Sequence, residues 1–249
     1  MPVNISKVKK NYGGKPVLKE LSLEIEDGEF ISLIGPSGVG KTTLLRILAN
    51  IETPDSGEVH FSRTPGKEDP VIMVFQDFAL FPHMTVAENV GYGLKMRGVR
   101  RKDRQERVEK MLDWFGIADK APSYPARLSA GQRQRAAIAR ALVVEPMVLL
   151  LDEPFANLDK NLKGETARFI RQTQRSFGIT TVMVTHDQEE AFAVSDRIGV
   201  LISGELRQYS SPEELLKSPA DGETERFLGM QEFGDSGGSP SSPIQLSGS

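Results

Sequence analysis

The 249-residue sequence has no cysteine, which excludes a disulfide framework, a cysteine-ligated zinc site, a redox pair and a cysteine nucleophile. It also lacks a long hydrophobic run. The longest uninterrupted apolar stretches are five residues, as in Met147 to Leu151 and Val71 to Phe75, far below the roughly 18 needed to span a bilayer. No excess of one charge is present: 31 Lys and Arg against 34 Asp and Glu give a formal net charge of −3, unlike a surface built throughout to hold nucleic acid. A local basic patch stays open, but no nucleic-acid partner is expected. The opening Met1-Pro2-Val3-Asn4-Ile5-Ser6 has no basic-then-apolar segment of the secretory kind, so a cytoplasmic location is expected. No solenoid or propeller period recurs. What remains is an ordinary globular composition, 26% charged and 39% hydrophobic, on a chain long enough to bury about three quarters of its unfolded surface.

Val3, Ile5 and Val8, then Leu21, Leu23 and Ile25, alternate with polar residues as half-buried strands do, and Asp27-Gly28 reads as the turn after them. This predicts an antiparallel β subdomain at the start of the chain. Phe30 to Ile34 is instead nearly all apolar, as in a strand buried on both faces, and a helical pattern over Thr43 to Ile51 follows it after a glycine-rich turn. Val71 to Phe75, Val148 to Leu151 and Thr181 to Thr185 are further buried-strand candidates. Four such strands with helices between them imply an α/β fold with a mostly parallel sheet. From about residue 85 to 145 the pattern turns helical, with Val108, Met111, Leu112 and Phe115 on one face, which predicts a helical subdomain inserted into the α/β core. Leu162 to Phe177 reads as an amphipathic helix, and Ser203-Gly204 between Ile198–Ile202 and Leu206–Tyr209 as a hairpin turn. Ser211-Pro212-Glu213-Glu214 has the spacing that opens a helix. Residues 230–249 hold six serines, four glycines and two prolines, too little apolar area to order themselves; a domain over 1–229 followed by a loose tail is expected.

Gly35-Pro36-Ser37-Gly38-Val39-Gly40-Lys41-Thr42 matches G-x-x-x-x-G-K-[ST], between a buried strand and a helix, where that motif's chemistry requires it. Glycines let the backbone wrap a polyphosphate with N–H groups inward, and the positive end of the following helix favours the anion. Lys41 would reach the β and γ phosphates and the Thr42 hydroxyl would bind Mg²⁺, with Thr43 next in the helix. Val148 to Leu151 then delivers Asp152 and Glu153. On a rigid strand Asp152 can hold Mg²⁺ and Glu153 can polarise the attacking water; alone, two acids after a strand are more often a solvated strand end, and the phosphate-type loop reverses that reading. Leu128-Ser129-Ala130-Gly131-Gln132 precedes a strongly helical stretch, which puts the Ser129 hydroxyl and the Gly131 N–H at a helix N-terminus, either a second anion site or a plain serine cap.

With these residues in place the sequence resembles the nucleotide-binding subunits of ATP-binding cassette (ABC) transporters, whose signature is L-S-G-G-Q; here Ala130 replaces the first glycine. The resemblance spans residues 3 to 229 and implies a P-loop NTPase core that hydrolyses ATP with Mg²⁺. It implies that Tyr12 stacks on adenine, that Gln76 senses Mg²⁺ and water, and that His186 contacts the γ phosphate. Asn157-Leu158-Asp159 resembles the loop that crosses to a partner subunit, with Ala156-Asn157 in place of the usual serine-alanine. It further implies that Ser129, Gly131 and Gln132 of one copy close over the phosphate loop of another in a head-to-tail dimer holding two ATP molecules. Glu153, Gln76 and His186 together argue against a nucleotide-held scaffold that does not turn over. His60 and His83 are read as structural.

Phe78 to Val86 is rich in large apolar groups around Pro82 and could form a surface cleft for a permease helix. The run from Gln76 to Val90 resembles importer subunits for polyamines, ferric iron, sulfate, molybdate and sugars, which implies a peripheral place on the inner face of the membrane, integral permease subunits and a solute-binding protein. Gly57 to Gln76 is shorter than in the sugar-type members, and no C-terminal regulatory barrel is expected. Export through separate permeases is the alternative, as is a soluble role on nucleic acid or ribosomes. Against the latter, the interval from Lys41 to Ser129 has no sustained heptads and the sequence holds a single cassette.

Overall fold

The computed structural model describes residues 3–66, 70–156, 158 and 160–229. Strands β1 (Val3–Tyr12) and β2 (Lys15–Ile25) pair antiparallel around Gly13 and Gly14, both at positive φ. Val3, Ile5, Val8, Leu21, Leu23 and Ile25 are buried, as their alternation with polar residues requires. A third strand, β4 (Ser56–Phe61), completes this sheet in the order β2-β1-β4. Its sequence gives no strand pattern, because it is an edge with no fully buried side chain.

The second sheet has six strands in the order β5 (Val71–Val74), β6 (Val148–Asp152), β7 (Thr180–Val184), β3 (Phe30–Ile34), β8 (Arg197–Ile202) and β9 (Glu205–Ser210). The first five run parallel and β9 returns antiparallel through Ser203 and Gly204, both at positive φ, as a tight hairpin turn demands. The strands bury both faces with a period of two. In β6, Val148 and Leu150 pack towards α1 (Lys41–Leu48) and the antiparallel sheet, while Leu149 and Leu151 pack towards α4 (Ala130–Leu142) and α5 (Lys160–Phe177). Each such side chain contributes about 1.5–3 kcal/mol on burial.

Between β5 and β6 lie α2 (Val86–Met96), α3 (Arg101–Trp114), two short 3₁₀ turns at Ala118–Lys120 and Pro125–Arg127, and α4. Thr85 opens α2 through a reciprocal capping box with Glu88, and α3 buries Val108 and Leu112. α2 packs on α3 and α4, and α4 in turn on β5, so this helical segment shares one continuous core with a face of the parallel sheet. After β7 come α6 (Gln188–Val194), α7 (Pro212–Lys217), capped by Ser211, and α8 (Gly222–Phe227). Some boundaries differ from expectation. α1 begins at Lys41, not Thr43, because Gly40 in the left-handed region already caps it, and Asn50 at φ 54° lies just past its end. β5 stops at Val74 and β7 is displaced one residue towards the N-terminus. The expected tail 230–249, with Asn157 and Asp159, lies outside the described residues.

Candidate nucleotide-binding site

The carboxyl ends of β5, β6, β7 and β3 lie side by side, and the loops leaving them carry Gln76, Asp152 with Glu153, His186, and Gly35 to Thr42. Such strand ends are where open α/β sheets place their ligands.

The phosphate-type loop leaves β3 at Gly35. A Cβ there would stand 2.1 Å from Leu201 O, and one on Gly40 would stand 2.7 Å from Leu18 Cδ2 and 2.9 Å from Val17 O. Gly38 sits at φ 78° with nothing within 4 Å of an added Cβ, so the loop is open on that side. Pro36 and Ser37 are exposed beside it, and Val39 is partly buried against the core of the antiparallel sheet. Lys41 is 5% exposed, and its ammonium donates to Gly35 O at 2.7 Å and Pro36 O at 3.0 Å. Burial pulls its pKa below the usual lysine value, and Glu153 and Asp152 work in the opposite direction. The first turn of α1 carries no acidic residue, so its positive end faces the loop unneutralised. A buried cation held by carbonyls, next to a free helix N-terminus, is complementary to a polyphosphate.

Thr42 Oγ1 donates to Asp152 Oδ1 at 3.0 Å. Asp152 is 8% exposed, and burial raises its proton affinity against the pull of the Thr42 bond. A hydroxyl and a carboxylate oxygen this close, beside a phosphate loop, form a hard-oxygen donor set of the kind Mg²⁺ takes, so the residues fit that ion. Glu153 adopts φ 44°, an uncommon conformation for a non-glycine residue, and its N–H donates to Val184 O at 3.0 Å. That turn aims its half-buried carboxylate at β7, where Oε2 lies 3.1 Å from Nδ1 of the more exposed His186. The residues flanking His186 are pinned. Buried Thr185 bonds Glu190 at 2.5 Å, accepts from Asp187 N at 3.0 Å, and Lys163 bridges Glu190 and Asp187 at 2.8 and 3.2 Å.

Contacts therefore join Lys41, Thr42, Asp152, Glu153 and His186 into one site. Gln76 is exposed in the turn after β5, at the adjoining strand end. Tyr12, 44% exposed, bonds its hydroxyl to Glu52 and lies beside Thr43 on α1, with Lys10 Nζ 5.6 Å from the ring centroid. Ser129 caps α4: its Oγ accepts from Gln132 N at 3.3 Å, and Gln132 Oε1 accepts from Ser129 N at 3.0 Å. Ser129, Gly131 and Gln132 make no hydrogen bond to the phosphate loop among the described residues; they stand on the helical segment, with Ser129 exposed.

A protein-family profile described as ABC transporter matches residues 18–156. The chain belongs to the ABC transporter family. It is 47% identical over 232 residues to the Fe(3+) ions import ATP-binding protein FbpC of Rhizobium etli, covering 91% of this chain and 66% of that one. It is 48% identical over 236 residues to the spermidine/putrescine import ATP-binding protein PotA of Marinobacter nauticus, covering 93% and 63%. The chain thus spans slightly under two thirds of the length of these relatives. Among solved structures it is similar to the dimeric post-hydrolysis state of the ATP-binding cassette MJ0796 bound to ADP and Pi, with TM-score 0.72, 33% identity, and coverage of 84% of this chain and 98% of that one. This likeness confirms the P-loop NTPase fold with its mostly parallel sheet, antiparallel β subdomain and helical segment.

Near Gln76, Phe78 is buried and Ala79 exposed, both at positive φ. An apolar groove of about 550 Å³ lies there, lined by Ile72, Phe75, Phe81, Tyr92, Met96 and Val144 among others. Two residues that sequence patterning does not single out hold the Phe78–Phe81 segment beside it, and one of them, Arg140, lines the groove. Arg140 donates to Ala79 O at 2.8 Å and Phe78 O at 3.0 Å, with its guanidinium 5.4 Å from the Phe81 ring. Fully buried Asn89 accepts from Phe81 N at 2.8 Å and donates to the carbonyls of Phe81, Met84 and Thr85. Their one signal is chemical type: a charged residue in the alanine-rich stretch of α4 and an asparagine inside a helix, each of which must find a buried partner.

Proposed function

We propose that the chain is the ATP-hydrolysing subunit of an importer, driving solute uptake through a separate integral membrane permease by ATP-dependent closing and opening of a homodimer at the cytoplasmic face. The observation that carries this reading is the joining of Lys41, Thr42–Asp152 and Glu153–His186 at neighbouring strand ends, with Ser129 exposed at the start of α4. Import ATP-binding relatives at 47% and 48% identity support the direction of transport. Iron and polyamine importers stand equally near, so identity does not select the solute.

In this reading Gly35 to Thr43 cradle the phosphates and Lys41 turns from its loop carbonyls to the β and γ oxygens. Tyr12 stacks on adenine. Thr42 and Asp152 would hold Mg²⁺, with Gln76 sensing it from the adjoining strand end; the ion, when bound, would neutralise charge on the phosphate oxygens. Glu153 orients the attacking water and accepts its proton, and His186, tethered to Glu153, contacts the γ phosphate. Ser129 and Gly131 of a second copy, arranged head to tail, grip the same nucleotide from the other side with Gln132 completing their cap. Loss of the γ phosphate removes a contact that both copies share, and the pair opens. The apolar groove beside Phe81 receives a cytoplasmic helix of the permease, and a solute-binding protein supplies cargo outside. Residues 1–229 form the cassette.

The test is assembly. Glu153→Gln protein at millimolar Mg-ATP should run as a dimer by size exclusion with light scattering, and Glu153→Gln combined with Lys41→Ala should remain monomeric. A Glu153→Gln chain that stays monomeric with bound ATP overturns the reading.

A further inference from the structure

Gln134 lies in the second turn of α4 and is fully buried, in a stretch whose other buried residues include Ala136, Ala137 and Ile138. Its Nε2 donates to Pro154 O at 2.8 Å, and its Oε1 has no partner among the described residues. A long amide in an apolar helix face is unfavourable unless its hydrogen bond is made, so this contact is held firmly. Pro154 directly follows Glu153. The turn it belongs to is tied at three points: Glu153 N to Val184 O at 3.0 Å, Ala156 N to Glu153 O at 3.2 Å, and Pro154 O to Gln134. The first tie leads to the end of β7, two residues before His186, the second is internal, and the third leads to the helix that Ser129 opens.

From this geometry we infer that Gln134 is a positioning residue that couples the seating of α4 to the aim of Glu153 in the same chain. The inference rests on the proposed function, in which the N-terminus of α4 closes on the partner's nucleotide while Glu153 acts on its own. α4 is rigid between Ser129 and Gln134, so a shift at its first turn moves the Gln134 amide. The bond carries that shift to the Pro154 carbonyl. The proline ring fixes its own φ, which leaves little freedom to absorb the displacement before it reaches Glu153, itself held at φ 44°. Each catalytic carboxylate then responds to whether the opposite site is filled.

The experiment uses the whole chain. Gln134→Met keeps the length and removes the donor. It should lower kcat for Mg-ATP about tenfold, since misaiming a positioned group is costly, while KM for ATP stays within about twofold. The cooperativity of hydrolysis with ATP concentration should fall. In the Glu153→Gln background the same change should leave ATP-driven dimerisation intact. Wild-type kcat and cooperativity in Gln134→Met overturn the inference, as does a loss of dimerisation that accounts for the fall. Should Gln134→Met not fold, hydrogen exchange of the Ala156 amide in the Glu153→Gln chain reads the same link: it should slow on Mg-ATP dimerisation, and an unchanged rate overturns the inference. Failure of the proposed function is distinct, since it appears as absent turnover in the wild type and absent dimerisation in Glu153→Gln.

Discussion

Glu153→Gln replaces a carboxylate by an amide of the same shape and leaves the local fold untouched. The φ of 44° and the N–H bond to Val184 O belong to the backbone, and the amide can still pair with His186 at about the present 3.1 Å. Asp152 binds its proton more tightly partly because Glu153 is negative, so the substitution also relieves a repulsion. The melting temperature of the nucleotide-free chain should therefore stay within about 2 °C of wild type. What disappears is the capacity to accept a proton from water. General-base assistance is worth about 10²–10⁴ in rate, or about 3–5.5 kcal/mol of barrier at about 1.36 kcal/mol per factor of ten. Phosphate release at saturating Mg-ATP should thus fall by at least about a hundredfold, with nucleotide affinity from equilibrium titration unchanged or tighter. A kcat within about threefold of wild type, with normal nucleotide binding, would remove Glu153 from the role of base.

Asp152→Asn separates stability from function. Burial raises the folded-state pKa of Asp152 above its unfolded value, so folding is disfavoured by the ionised form, and this penalty sets in as pH rises through the unfolded and then the folded pKa. At pH 7.5 the nucleotide-free variant should melt about 1–4 °C higher than wild type, a gain that shrinks as pH falls, while Mg²⁺ stimulation of hydrolysis is lost; thermal scans across pH check the sign, and a lower melting temperature at pH 7.5 refutes it. Met96→Glu puts a charge on a side chain that lines the apolar groove and is 57% exposed. Solute uptake by the assembled transporter should fall at least about tenfold, because an unpaired charge at a packed interface costs several kcal/mol, while hydrolysis by the isolated chain stays within about twofold. A parallel fall in both would make the groove part of the ATPase instead.

The elements that position the site were legible because burial on both faces leaves a plain mark. Phe30–Ile34 and Val148–Leu151 are apolar almost without interruption, and each ends in chemistry-bearing residues. Ser129 was legible as a cap for a local reason, since its partner Gln132 is three residues away. β4 was not, because an edge strand with exposed side chains has no period to read. Gln134, Asn89 and Arg140 were missed because each bonds backbone carbonyls, and in two of the three cases those carbonyls are distant in sequence: Pro154 for Gln134, and Phe78 and Ala79 for Arg140. A carbonyl has no residue type, so no pattern announces the pairing. The turn at Glu153 likewise follows from how β6 and β7 lie together.

The glycines of the phosphate loop look equivalent in sequence, yet the structure assigns them different duties. α1 leaves β3 and packs over β7 and β6, which brings Thr42 to Asp152 across the end of the intervening strand. That approach forces Gly35 against Leu201 O and Gly40 against Val17 and Leu18, so both positions are fixed by packing whether or not nucleotide is present. Gly38 is different: an added methyl would meet nothing, and its demand comes from φ 78° alone. Gly38→Ala should therefore cost the fold only the left-handed strain, about 1–2 kcal/mol, seen as a melting temperature lower by about 2–8 °C. ATP affinity should fall further than that strain explains, because the methyl stands on the open side where phosphates approach. Gly35→Ala cannot keep a Cβ 2.1 Å from a carbonyl oxygen and must shift β8 or the loop itself, so its loss of stability should exceed that of Gly38→Ala with or without nucleotide. If the two variants melt alike and bind ATP alike, the glycines serve one purpose, and packing of α1 across the sheet is not what shapes the loop.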